Sequence, residues 1–485
     1  MTDAPASTGQ ATAAIAKLRG TGWGGKALLV FALALVMAIP GLFVFGLVAE
    51  RSHRAESVIA EVSARNGGLQ QILGPVLVAP LQYLDAKGAI KSTRWYVVSP
   101  REGAATATVK TETLHRGIFD VPVYEANVVL SADFGPVTKT LVLADGGRVD
   151  WTRAQIVLGF SDLRGAKSDV VGTFAQSTGK SDFSFVPASG INLGGSASGK
   201  AADDSSAPTM AAATGNLGDF GLVAAPAAAI ADSASGGTFT TKLKLTGAER
   251  LSVAAFAKTT RVSIAGDWNA PSFDGAFLPE KRNVADAGFT ALWNVPFLAR
   301  GLSDMGAADT LSLTAMGAKD VGVTFARSNN PYENVTRSLK YGVMFIGLVF
   351  LTFFVFEALS GRRVHPAQYV LIGLAQMVFY LLLLSLSEYV GFDLGFLCAA
   401  VATVGLIGFY AGWAFDSAAY RLRALAIFSL IYVLIYVLMR LEDFALLVGS
   451  VTSFVGLALA MFLTRHIDWY GGRGSLETGA APAAR

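Results

Sequence analysis

The chain has 485 residues, with 39 Lys and Arg against 36 Asp and Glu, four His and a single Cys. Only 15% of its residues are charged and 52% are hydrophobic, where an average soluble chain is roughly 25% charged. This composition excludes intrinsic disorder and argues against a purely soluble protein; one Cys excludes an internal disulfide framework, and a formal charge of +3 is too small to argue for a nucleic-acid partner.

Residues 1–26 read as a disordered cytoplasmic tail. From Ala27 to Val48 there is no charge, and about 22 residues are enough for one helical crossing. That run exceeds the roughly 7–15 residues of a signal-peptide core, so residues 27–49 are read as an uncleaved first transmembrane helix. Pro40-Gly41 lies inside it.

Residues 50–340 have ordinary polarity and strand-like patterns. Glu50–Arg65 is the helix candidate, continuing from the first span. Thr238–Leu245 places Phe239, Thr241, Leu243 and Leu245 on one face and Lys242 and Lys244 on the other, the period-two pattern of a half-buried strand. Thr260–Ile264 and Val321–Phe325 alternate likewise. Thr93–Val98, Val128–Leu130, Lys139–Val142 and Gln155–Phe160 are short β-prone runs. Pro122 marks an edge or a bend. The expectation is a mainly antiparallel, sandwich-like β domain, with one or two subdomains. The stretch 187–237 is dominated by Gly, Ala and Ser and reads as a flexible insertion, from which Ala201–Thr214 should be removable.

Residues 341–465 are apolar again and contain five expected spans: Tyr341–Phe356, Ala367–Leu386, Leu394–Phe415, Ala424–Met439 and Phe444–Leu463. Residues 466–485 read as a second cytoplasmic tail. Lys17, Arg19, Lys26, Arg362, Arg363, Arg421, Arg423, Arg465 and Arg473 then fall on one side, which the bias of basic residues assigns to the cytoplasm. Arg51, Arg54, Arg337, Lys340 and Arg440 fall on the other. Residues 50–340 are accordingly expected outside the cytoplasm. The fold class read from these blocks is a membrane protein with an N-terminal transmembrane helix, a large mainly antiparallel β extracytoplasmic domain and a C-terminal five-helix bundle.

Chemistry-bearing clusters are scarce. Within residues 50–340 the His residues are His53 and His115, without a spaced partner. No H-x-x-x-H, G-x-S-x-G or Walker motif occurs, so no catalytic residue, metal ligand or cofactor is assigned. Ser161-Asp162-Leu163-Arg164-Gly165 reads as a charged turn in which Asp162 bonds the backbone and pairs with Arg164. The stretch around Trp268, Phe273 and Phe277 reads as a rigid loop that either packs on the β core, with Trp268 mostly buried, or presents a binding face. Within the spans, Gln376 is expected to make an interhelical hydrogen bond, and Glu357 to meet Arg362 or Arg363. Glu388 belongs to a rim cluster with Asp393, Arg440, Glu442 and Asp443. Gly408-x-x-x-Gly412 and Gly449-x-x-x-Ser453 permit close helix packing, and Cys398 is expected to be buried.

Three segments carry a family resemblance: Ala154–Gly165, Asn269–Pro279, and Arg337–Gly342 leading into the second span. His365-Pro366-Ala367-Gln368-Tyr369 and Leu381–Glu388 extend it. Together they resemble the CreD family of inner-membrane proteins, from the first span to the sixth; the stretch after Pro187 is longer than the family's usual connection. The resemblance implies a multi-pass protein of a Gram-negative inner membrane that supports cell-envelope integrity or the response to envelope stress. It implies no enzymatic activity, cofactor or catalytic residue. The expected partners are the lipid bilayer and an envelope component or periplasmic protein. A transporter or permease-like subunit, recognised by co-purification with an ATPase, is the alternative; a far-side hydrolase lacks its nucleophile–base pair.

Overall fold

The computed structural model describes residues 23–117, 119–138, 141–177, 179–188, 220–325, 331–440 and 445–465. The chain divides into two compact units, one built from its two ends up to Arg54 and from Asn329 onward, the other from Ala55–Ser328.

The first unit is helical. Helix α1 (Trp23–Val36) is followed after Met37 by α2 (Ala38–Arg65), which continues past the apolar run as the sequence indicates. Leu28, Phe31, Leu35, Leu42 and Phe43 are exposed, as a lipid-facing surface requires. The remaining helices are α3 (Pro331–Lys340), α4 (Gly342–Ser360), α5 (Pro366–Val390), α6 (Phe392–Ala414), α7 (Ala418–Arg440) and α8 (Ala445–Thr464). Among the described residues five helices are long and apolar enough to cross a membrane, or six if α3 and α4, bent by 51°, form one span. Gly408 and Gly412 do bring α6 and α7 together: a Cβ at Gly408 would lie 2.4 Å from Leu425 Cδ2, and one at Gly412 3.0 Å from Arg421 Cβ. Cys398 differs from expectation. It is exposed on the face of α6 that also carries Leu394, Leu397 and Val401, an apolar face turned away from the bundle.

The second unit holds two sheets. In chain order its strands begin with β1 (Gln70–Leu84), β2 (Ile90–Val98), β3 (Glu102–Arg116), β4 (Phe119–Phe134), β5 (Arg148–Val149) and β6 (Gln155–Phe160). They continue with β7 (Val171–Gln176), β8 (Gly179–Ser184), β9 (Val186–Pro187), β10 (Gly221–Pro226), β11 (Gly237–Ala248) and β12 (Arg250–Ala254). The last are β13 (Thr259–Gly266), β14 (Pro271–Gly275), β15 (Lys281–Ala285), β16 (Gly288–Val295), β17 (Met305–Ala307) and β18 (Asp320–Phe325). A ten-stranded sheet runs β14-β18-β12-β1-β6-β10-β9, with β2, β5 and β17 attached; an eight-stranded sheet runs β15-β16-β13-β3-β4-β11-β7-β8. All pairings are antiparallel except β1 with β12 and β3 with β13.

One core joins the inner faces of the two sheets, containing Ile72, Leu77, Val128, Leu130, Phe160, Phe239, Leu251, Val262, Trp293 and Phe325. The described residues thus give one core between the two sheets and one compact unit rather than two subdomains. The opposite face of the ten-stranded sheet is covered by Ala308, Leu311, Leu313 and Met316, which pack on Leu73, Val76, Val78 and Val97. Strand β1 is therefore buried on both faces and reads as a continuous apolar run, without the alternation of a half-buried strand. Its register shifts between Leu73 and Val76, at Gly74 with φ +96°, so residue parity switches between the two cores there.

Several expectations need correction. The 187–237 stretch is not wholly a loose insertion: β10 pairs with β6 and β9, and Ile230 in a one-turn helix is fully buried. Its alanines fit closely spaced strands, with Ala224 and Ala225 buried. Ala201–Thr214 lies outside the described residues. Pro122 lies inside the long strand β4, but pairing with β11 begins only at Val123, so over Phe119–Pro122 β4 has β3 alone as its ladder partner. The Lys139–Val142 run contributes only a bridge from Val142 to Arg148, its first two residues being outside the described set.

Candidate functional site

The β unit contains a cavity of about 1010 Å³. Its walls come from the end of α2, the start of β1, the turn after β6, the β11–β12 turn, the end of β14 and the chain entering β18. Asp162, read from the sequence as a turn residue, caps a 3-10 turn: the Arg164 N–H donates to Oδ1 at 2.9 Å and Arg164 Nη2 to Oδ2 at 2.6 Å. That guanidinium contact holds the Asp162 carboxyl below its ordinary pKa. Ser161 Oγ donates to the Leu69 carbonyl at 2.5 Å and accepts from the Gln71 N–H at 2.9 Å, fixing the turn to β1.

Arg250 organises the opposite wall. It donates to Asp274 Oδ1 and to Asp320 Oδ2, each at 2.8 Å, and to Ser252 Oγ at 3.0 Å. Burial works against its charge, but Asp320 and Asp274 outweigh burial and hold its pKa above the ordinary guanidinium value. Gln71 Nε2 donates to Asp320 Oδ2 at 2.9 Å and to the Gly317 carbonyl at 2.8 Å. Thr324 Oγ1 donates to Asp274 Oδ2. Glu249, next to Arg250, has φ 63°, a left-handed backbone unusual for a residue with a Cβ, and accepts from Ser63 Oγ at 2.6 Å.

Two of the segments that carry the family resemblance thus line one cavity, through Ser161, Asp162 and Arg164 on one side and Asp274, Gly275 and Ala276 on the other. Sequence reasoning did not single out Gln70, Gln71, Glu249, Arg250 or Asp320. The available signal was a polar residue opening an apolar strand: Gln70-Gln71 before β1's apolar run, Arg250 at the head of β12 and Asp320 at the head of β18.

Trp268, Phe273 and Phe277 are half-buried and pack on the β core. Trp268 lies edge-on to Phe325 at 6.3 Å and donates from Nε1 to the Ala270 carbonyl at 3.2 Å. Phe273 sits edge-on to Phe289 and Trp293, each at 6.0 Å, and the Phe277 carbonyl accepts from Trp293 Nε1 at 3.2 Å. The stretch is a strand in its middle, β14, paired with β18, rather than a loop throughout. His115 pairs with Asp120 at 2.6 Å on the surface.

The three membrane-helix candidates do not form a chain. Glu357 is fully buried and pairs with Lys26 rather than with Arg362 or Arg363; Tyr369 OH donates to it at 2.9 Å and the Val364 N–H at 2.8 Å. Arg362 instead reaches Asp416 at 3.3 Å. Gln376 is buried on α5, with no donor to its Oε1 among the described residues. Glu388 accepts from Tyr332 OH at 2.9 Å. Asp393 pairs with Arg440, while Glu442 and Asp443 lie outside the described residues. The family segment at His365 starts a helix: His365 and Gln368 form a reciprocal cap with Pro366 at the first position.

An apolar N-terminal helix, a two-sheet domain and a C-terminal set of span-length helices define a multi-pass membrane protein with a β domain inserted after its first span. The family model described as inner membrane protein CreD matches residues 23–470. The inner membrane protein CreD of Escherichia coli (strain K12) is 27% identical over 454 residues, covering 91% of this chain and 92% of that protein. The chain belongs to the CreD family.

Proposed function

We propose that this protein supports cell-envelope integrity or the envelope-stress response without catalysing a reaction. In this reading the β domain faces the periplasm and binds an envelope component or a partner protein, while the helices hold it in the inner membrane. The observation that carries the reading is the cavity of about 1010 Å³, where two segments far apart in sequence bring ion-paired polar groups together. Ligand sites are commonly concave, with a few fixed polar groups among apolar walls. The lining chemistry is that of recognition: its carboxylates are engaged with guanidinium, amide and hydroxyl donors, and the cavity lining contains no His or Cys.

Complementation tests this. Ala276 is exposed on the cavity wall, so Ala276→Trp fills space without disturbing the core. In a strain lacking the gene and sensitised to a cell-wall antibiotic, the variant should reach the membrane at the wild-type level and fail to restore tolerance. Full restoration would remove the cavity from the function.

A further inference from the structure

We infer that the seam between α6 and α7 holds the headgroup phosphate of an anionic phospholipid, with the Arg421 guanidinium as its anchor. Leu394, Leu397, Val401, Phe409 and Trp413 are all exposed on α6 and form its apolar, lipid-facing side. Arg421, in the first turn of α7, lies against that side: its guanidinium carbon is 5.7 Å from the centre of the Phe409 ring. Gly412 permits the approach. A Cβ there would meet the Arg421 Cβ, Cδ and Cγ at 3.0, 3.3 and 3.4 Å, so the arginine stem runs along α6 where no side chain stands. Phe409 precedes the end of α6 at Ala414 by about 8 Å of helix axis. The charge is thus held beside a lipid-facing ring at the edge of the hydrocarbon.

A guanidinium in that position is costly unless it is paired. Among the described residues no carboxylate pairs with Arg421. The nearest in sequence, Asp416, is engaged by Arg362 at 3.3 Å. The Phe409 ring offers the cation a π face but no strong hydrogen-bond acceptor. Trp413, one turn beyond Phe409 and 78% exposed, adds an indole N–H that has no acceptor among the described residues. The bilayer supplies what both donors lack: a lipid phosphate is a strong acceptor and matches the guanidinium fork. Charge selects the lipid. The two turns joined by the Arg362–Asp416 contact, residues 361–366 and 415–423, hold Arg362, Arg363, Arg421 and Arg423 against the one carboxylate of Asp416. A headgroup with net negative charge is therefore favoured over one whose phosphate carries its own ammonium. Arg423 lies outside the site. Its guanidinium carbon is 5.3 Å from the Tyr420 ring, which packs on Phe356 and Phe415.

The test uses the full-length protein purified in detergent. Bound lipid is counted by native mass spectrometry as phosphatidylglycerol or phosphatidylethanolamine with the same acyl chains is added. Phosphatidylglycerol should bind at least about fivefold more tightly, the scale of one basic residue at a charged lipid surface. Arg421 is exposed, so Arg421→Gln leaves the bundle intact; it should weaken phosphatidylglycerol by about fivefold and draw the two lipids level. Arg423→Gln should leave phosphatidylglycerol binding as in the wild type. Equal binding of the two lipids to the wild type, or phosphatidylglycerol binding unchanged in Arg421→Gln, would overturn the inference. Equal losses in Arg421→Gln and Arg423→Gln would overturn it in favour of a diffuse basic rim.

Discussion

Glu357 shows how much one buried charge asks of its surroundings. A carboxylate taken out of water costs several kcal/mol unless it is paired and its lone pairs are filled. Here Lys26, the Tyr369 hydroxyl and the Val364 N–H together meet it, and Lys26 also donates to the Val364 carbonyl at 2.9 Å. The nearest basic residues in sequence, Arg362 and Arg363, are diverted because α4 ends at Ser360 and Gly361 turns the chain with φ 68°. Lys26→Met leaves the carboxylate buried without its cation and should cost about 3–5 kcal/mol. Lys26→Met combined with Glu357→Leu removes both charges and should recover at least half of that loss. Thermal unfolding of wild type, both single variants and the double variant in micelles reads the cycle; a double-variant loss equal to the sum of the two single losses would show that the two residues are not coupled.

At the scale of elements, the stretch from Asp267 to Pro279 is a pinned edge. Its middle pairs with β18, and its aromatics lean on Phe289, Trp293 and Phe325. Trp268 is half-buried, so Trp268→Ala should cost less than the roughly 3–5 kcal/mol of a fully buried aromatic, about 2 kcal/mol. Trp268→Phe keeps the edge-on contact and forfeits the bond to Ala270, about 1 kcal/mol. Melting of the full-length protein should rank wild type, Phe and Ala in that order. An unchanged midpoint with lost envelope tolerance would make the indole a binding face instead. Elements with one buried face were legible in the sequence: β11 keeps Phe239, Thr241, Leu243 and Leu245 inside, as its alternation required. Strand β1 was not, because two cores erase its alternation and a register shift reverses its parity. Strand β10 hid among alanines whose small size suits tight packing but resembles a flexible linker. Of the candidate site, the Asp162 turn was legible because its partners are local. Arg250 and Asp320 stand 70 positions apart and meet only through the β12–β18 ladder, so no local pattern announces them.

For the whole molecule the decisive quantity is which side of the membrane each loop occupies, and α3 with α4 decides it. Helix α4 has 19 residues, about 28 Å at 1.5 Å per residue, close to the roughly 30 Å hydrocarbon core. It is long enough to cross alone. Helix α3 carries Glu333, Arg337 and Lys340, which are costly in hydrocarbon, and the 51° bend allows it to leave the span. On that argument Arg337 and Lys340 sit on an interfacial helix rather than inside a span, so they weigh little against the basic residues assigned to the cytoplasm. The proposed topology then has six crossings, with both ends in the cytoplasm and the β domain in the periplasm. Alkaline phosphatase fused after Gly165 should be active, and the same reporter after Gly361 or Ser417 should be inactive. If α3 and α4 instead dip in and return, five crossings remain: the fusions after Gly165 and Gly361 would both be active, the C-terminus would lie in the periplasm, and the cytoplasmic placement of Arg362 and Arg363 would fall with it.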